Sequence, residues 1–223
     1  MQVQKSTLQF LKNLKKNNNR EWYNENKDEF KSEQLKIKAF HLEIQNNLNK
    51  HDSIEKYKLY RIYRDVRFSK DKTPYQPHFA AAFSRTGKSL RGTYYLRIRP
   101  GESFLGGGFW GPEKEDLQRI RKEFELDSTE IRAILADEKF KTIFGGKLEG
   151  EELKSAPRNF DKNHPDIDLI RKKGFVAVRK FTDEEVLSPD FLKVVDESFK
   201  TLRPFFDLMS DILTTNLNGE SII

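Results

Sequence analysis

The chain has 223 residues and a formal charge of +6, from 41 Lys or Arg and 35 Asp or Glu, with four His and no Cys. A chain of this length buries roughly 70% of its unfolded surface and needs no covalent staple, so one sizeable domain over residues 1–223 is expected. Without cysteine there are no disulfides, thiolate metal ligands or cysteine nucleophiles, and no run of eighteen apolar residues offers a membrane helix; the expectation is a soluble, cytoplasmic protein.

Leu8, Leu11 and Leu14 recur at helical spacing over Thr7–Lys16, with Ser6 or Thr7 as a cap and Asn17–Asn19 as a break. Glu21–Asn47 reads as one long amphipathic helix whose apolar residues run from Trp22 and Phe30 through Leu35, Ile37, Phe40 and Leu42 to Ile44. Residues 1–50 thus predict a helical hairpin. From Lys58 the period becomes two, placing Tyr60, Ile62, Arg64, Val66 and Phe68 on one face of a strand and Arg61, Tyr63, Asp65 and Arg67 on the other. Phe79–Ser84, Thr93–Arg99 and Glu102–Leu105 follow as strands with short connections, so residues 58–105 predict an antiparallel meander.

Pro112 suits a first helical position, ahead of a helix with Leu117, Ile120 and Phe124 inside and Glu113, Glu115 and Asp116 near its N-terminus. Asp127 or Ser128 caps a further helix to Leu135, and Gly145-Gly146 is a turn. Pro165–Lys172 reads as a short helix, Phe175–Phe181 as a strand, and Ser188–Leu213 as a long helix that Pro204 bends or breaks. The fold class is therefore α+β. A largely antiparallel sheet of about 4–6 strands is covered by the N-terminal helical hairpin and by helices drawn from residues 112–223.

The charge is unevenly spread. Residues 51–112 hold 12 Lys or Arg against 5 Asp or Glu, and the rest of the chain is close to neutral. Such a segment suits phosphate, carboxylate or nucleic acid, or simply a solvated face. On the predicted strand Arg64 lies among apolar side chains, where a guanidinium needs either a carboxylate, such as Glu21, Glu25 or Asp166, or a ligand. Ser69–Tyr75 follows as a loop whose Lys70, Lys72 and hydroxyls can clamp an anion, though without the glycine frame of a P-loop.

Two further stretches stand out. Gly106, Gly108 and Gly111 satisfy G-x-G-x-x-G between a strand and a helix, but a meander strand is the wrong setting for a dinucleotide. Close backbone approach, with Trp110 packed over it, is the better account of the glycines. In Ala156–Phe175, His164 before a proline reads first as a capping residue and second as a proton carrier, while Arg158 sits in a loop able to reach an anion. The spacing of His164, Asp166 and Asp168 suits no metal site, and no cofactor motif is evident.

Four stretches together resemble a known family: FLKNLKKNNNREWYNENK, RDVRFSKDKTPY, GGGFWGP and PRNFDKNHPDID. The chain is similar over nearly its whole length to the proteins grouped as domain of unknown function 2461, uncharacterised proteins of bacteria and some fungi. Asn159 stands where that pattern has glycine, and Asn163 where it has aspartate. The resemblance implies an α+β fold and a prokaryotic cytoplasmic setting, and it implies no activity.

Three functions remain open at this level. The first is a cleft for a small phosphorylated or carboxylated ligand, with Arg64, Arg67, Lys70 and Lys72 holding the anion. Tyr75, His78, Trp110 and Arg158 would complete it, and Asp65 or His164 would carry a proton if chemistry occurs. The second is a scaffold or protein-interaction domain whose arginines are paired internally. The third is nucleic-acid binding through the basic sheet, with Tyr63, Tyr75 and Tyr95 as stacking faces.

Overall fold

A computed structural model describes residues 1–216 and 219–223. Its helices and strands have the α+β arrangement expected, built on one five-stranded antiparallel sheet in the order β1-β2-β3-β4-β5. The strands are β1 (Ile54–Leu59), β2 (Phe79–Arg85), β3 (Thr93–Ile98), β4 (Ser103–Phe109) and β5 (Phe175–Phe181). Sequential neighbours with short turns make β2 to β4 the expected meander, whereas β1 lies ahead of the strand expected from Lys58 and reaches β2 through residues 60–78. By packing, the chain divides into two compact units. The first comprises Met1–Phe83, Tyr95–Leu105 and Lys180–Glu197, and the second Ser84–Tyr94, Gly106–Arg179 and Ser198–Ile223.

In the first unit the N-terminal helices are α1 (Lys5–Lys16), α2 (Arg20–Glu25) and α3 (Lys27–Leu48). The expected helix from Glu21 to Asn47 is thus split at Asn26, and Asn19 caps α2 by accepting the Trp22 N–H at 2.9 Å. Leu35 and Leu42 are exposed, so the apolar stripe of α3 is narrower than expected and rests on Phe30, Ile37, Phe40 and Ile44. Neither Ser6 nor Thr7 caps α1. The Thr7 hydroxyl instead donates to the buried Glu33 carboxylate at 2.7 Å, and Lys36 reaches the same group at 2.6 Å, tying α1 to α3. Phe30 stacks on Phe79, and Phe40 on Phe191, closing the helices over one face of the sheet.

The second unit holds α4 (Lys114–Leu126), α5 (Thr129–Ala136), α6 (Glu138–Phe144) and α7 (Ile167–Ile170). Near its end come α9 (Phe191–Thr201), which begins in the first unit after α8 (Asp183–Leu187), and α10 (Arg203–Thr214). Pro204 does break the expected long helix, because it sits in the first turn of α10, where its missing N–H costs nothing. Gly106 and Gly108, expected after the strand Glu102–Leu105, lie within β4, and Gly111 follows it. A Cβ on Gly107 would stand 2.4 Å from Leu202 Cδ1, and one on Gly108, whose φ is 144°, would stand 2.1 Å from the Phe175 carbonyl. The close approach read from the sequence is therefore to the neighbouring strand, to Leu202 and to Phe206 of α10. Among the described residues, no helix is long and apolar enough to cross a membrane.

Candidate functional site

The strand expected over Tyr60–Ser69 does not form. Residues 60–78 are a loop pinned by a single antiparallel bridge between Tyr63 and Tyr75, with the Gln76 N–H donating to Ile62 at 2.7 Å. Its polar side chains satisfy its own backbone, and Pro74 and Pro77 remove two donors that a ladder would need. Asp71 accepts from the Thr73 backbone at 2.9 Å and from the Thr73 hydroxyl at 2.8 Å. Arg64 donates to Asp71, to Thr73 and, at 3.3 Å, to Ser69. The Thr73 N–H and then Arg64 hold the Asp71 carboxyl down to about 2. Arg64 is thus satisfied by its own loop, and not by Glu21, Glu25 or Asp166.

Arg67 grips Asp65 at 2.6 Å, and that pairing keeps the Asp65 carboxyl below its ordinary range. Lys72 donates to the Val66 carbonyl at 2.9 Å, while Lys70 is exposed and has no ion pair among the described residues. Tyr75 is buried and stacks on Tyr23 with centroids 4.2 Å apart, and Asn18 binds its backbone on both sides. Burial, helped by Arg97 and Arg99, pushes the His78 imidazole down to about 4. All seven candidate residues of the loop belong to the first unit, while Trp110, Arg158 and His164 belong to the second.

In the second unit, Arg158 lines a groove of about 820 Å³ that the sequence did not reveal. Its long wall is α4. Ile120 and Phe124 turn that helix's inner face to the core, and Phe124 meets Phe175 edge-on at 5.8 Å. The opposite side then presents Lys114, Gln118 and Lys122 at intervals of one turn, with Glu115 and Arg119 beside them. The loop carrying Arg158 and Asn159 also lines the groove, together with Asn216.

Each cation is placed for a local reason. Phe160 is buried under Lys122, whose ammonium lies 4.8 Å from the ring centroid, and so anchors the Arg158 loop. Asn159 has φ 69°, the left-handed region that glycine enters freely and asparagine more easily than most residues, which accounts for the departure from the family pattern. Arg119 donates to the Ile212 carbonyl, and Lys122 pairs with Glu125 at 2.7 Å. Asp116 is drawn off to Arg91 and contributes no charge to the lining. Four cations and one carboxylate, Glu115, remain on the groove wall. Lys114 and Arg158 have no ion pair among the described residues.

His164 lies just ahead of α7, whose N-cap is Asp166, and its Nδ1 accepts the Asp166 backbone N–H at 3.1 Å. Asp166 and Asp168 both bind Arg132, at 2.8 and 2.5 Å, and Arg132 lowers the Asp168 carboxyl. Trp110 is half exposed, with its ring edge near Gly106. A family model described as a conserved hypothetical protein, DUF2461, matches residues 6–208. The chain belongs to this family. No curated protein and no solved structure matches the DUF2461 chain.

Proposed function

We propose that the protein binds a small phosphorylated or carboxylated molecule in the α4–Arg158 groove. The observation that carries this reading is the pair Lys114 and Arg158, two exposed cations without carboxylate partners on the walls of one groove. Arg158 supplies a planar fork for two anion oxygens, Lys114 supplies a point charge, and Gln118 and Asn159 add neutral polar groups. A volume of about 820 Å³ suits a metabolite-sized ligand. The cysteine-free composition and the family pattern favour a bacterial cytoplasmic setting.

The test is a thermal-shift and calorimetric screen over inorganic phosphate, pyrophosphate, nucleotides, sugar phosphates and di- and tricarboxylates, at low and high salt. A ligand of the folded state raises the melting point by mass action. Arg158→Ala and Lys114→Ala each weaken binding by about tenfold or more, the scale of one lost charge-assisted hydrogen bond. Both side chains are exposed, so folding is retained. Binding that survives both substitutions unchanged overturns the reading.

A further inference from the structure

The face of the sheet turned away from the helices carries its own chemistry in the first unit. Leu96 and Ile98 of β3 are fully buried, so alternation sends Tyr95, Arg97 and Arg99 to the opposite side. There Tyr95 meets Phe104 of β4 at 5.4 Å and Tyr60, just past β1, at 6.0 Å. Three aromatic rings thus cross the strands in one row. Tyr60 is 40% exposed, whereas the aromatic rings of the buried face are nearly all enclosed. Between β1 and β3 the floor is Ala80 and Ala82, too small to cover the rings.

Cations are interleaved with the row. Arg97 lies 4.4 Å over the Phe104 ring and Lys58 lies 4.9 Å over Tyr60. Beyond Phe104 a hollow of about 300 Å³ is lined by Arg97, Lys180 and Glu102. Glu102 binds Arg99 at 3.3 Å and Arg97 at 4.0 Å, and Arg97 also donates to the Glu102 carbonyl at 3.1 Å, while Lys58 and Lys180 hold no ion pair among the described residues.

We propose that this face binds single-stranded nucleic acid, with Tyr60, Tyr95 and Phe104 stacking bases and Lys58, Arg97 and Lys180 meeting phosphates. Exposed aromatic faces spaced along a basic sheet suit unpaired bases, because a duplex leaves none free to stack. Positive charge alone would bind any polyanion. The row of rings is what selects a single strand.

The test is fluorescence anisotropy with fluorescein-labelled oligouridylate and oligothymidylate of about twelve nucleotides, a length that covers a sheet of this width. Binding is expected at low salt and weakens more than tenfold at high salt. Tyr60→Ala weakens it by about tenfold while Tyr60→Phe does not, since stacking needs the ring and not the hydroxyl. Lys180→Ala lowers the salt dependence, and an unlabelled duplex of the same length does not displace the probe. Arg158→Ala leaves oligonucleotide binding unchanged, which separates this site from the groove. The inference is overturned by no binding up to about 100 μM at low salt, where even non-specific contacts register. Equal binding by Tyr60→Ala, or full displacement by duplex, overturns it as well.

Discussion

The loop over residues 60–78 and the groove along α4 make an instructive contrast. The loop carries five Lys or Arg, yet Arg64 and Arg67 each find a carboxylate within it, and Lys72 ends on a carbonyl. Helix α4 is nearly balanced in composition, yet it faces the groove with Lys114, Arg119 and Lys122 while Asp116 turns to Arg91. Charge density along a chain is a poor guide to the field at a surface. What matters is which groups the backbone brings within a few ångströms of one another, since each pairing there cancels most of the field.

The largest effect expected bears on the frame of the groove. Gly108→Ala forces a Cβ into the Phe175 carbonyl at a φ that side chains rarely adopt, and should destabilise the fold by about 3 kcal/mol. A denaturant midpoint unchanged by that substitution would detach the glycine run from the framework that positions α4. The next effect concerns His41, which is fully buried and has Tyr57 at 3.1 Å as its polar neighbour; burial pushes its imidazole down to about 3. Its contribution is fully present above the unfolded pKa near 6.5. As the pH falls below that, the unfolded chain binds the proton first, and stability is lost down to the folded value. Between pH 6.5 and 5 this removes about 2 kcal/mol, and His41→Gln should flatten that slope in urea titrations compared with the parent chain.

Smaller effects divide the loop itself. Arg64→Ala removes three hydrogen bonds from a largely covered guanidinium and should cost about 1 kcal/mol of stability without altering anion binding in the groove. Loss of ligand binding in that variant, with the fold intact, would return the site to the loop. Arg67→Ala breaks an exposed pair and should leave the thermal midpoint where it was.

Much of the fold was legible from periodicity. Phe175–Phe181 matches β5 residue for residue, and β2 to β4 follow from short apolar runs between turn signals, while β1 was not read as a strand. Alternation misled at Tyr60–Ser69, because Asp65, Asp71 and Thr73 offer the backbone closer partners than a neighbouring strand does. The segments α6 and α8 escaped notice because each is only one or two turns long. Of the site residues, Arg158 was readable as an arginine in a loop, but its companions Lys114 and Lys122 were hidden inside an evenly charged helix. A count of its groove-facing positions would have exposed them. His41 left no signal, since a histidine in an amphipathic helix reads as polar until its burial is known.

By itself the sequence determined the α+β class, the positions of most helices and strands, the absence of thiol chemistry and membership of the family. Those properties are local or compositional: they depend on residue types at fixed separations along the chain. Which arginines are spent on neighbouring carboxylates, which face of the sheet stays uncovered, and where a hollow opens were decided only by tertiary structure. Ion pairs, burial and cavities are set by distances between residues far apart in sequence, and no spacing rule encodes them.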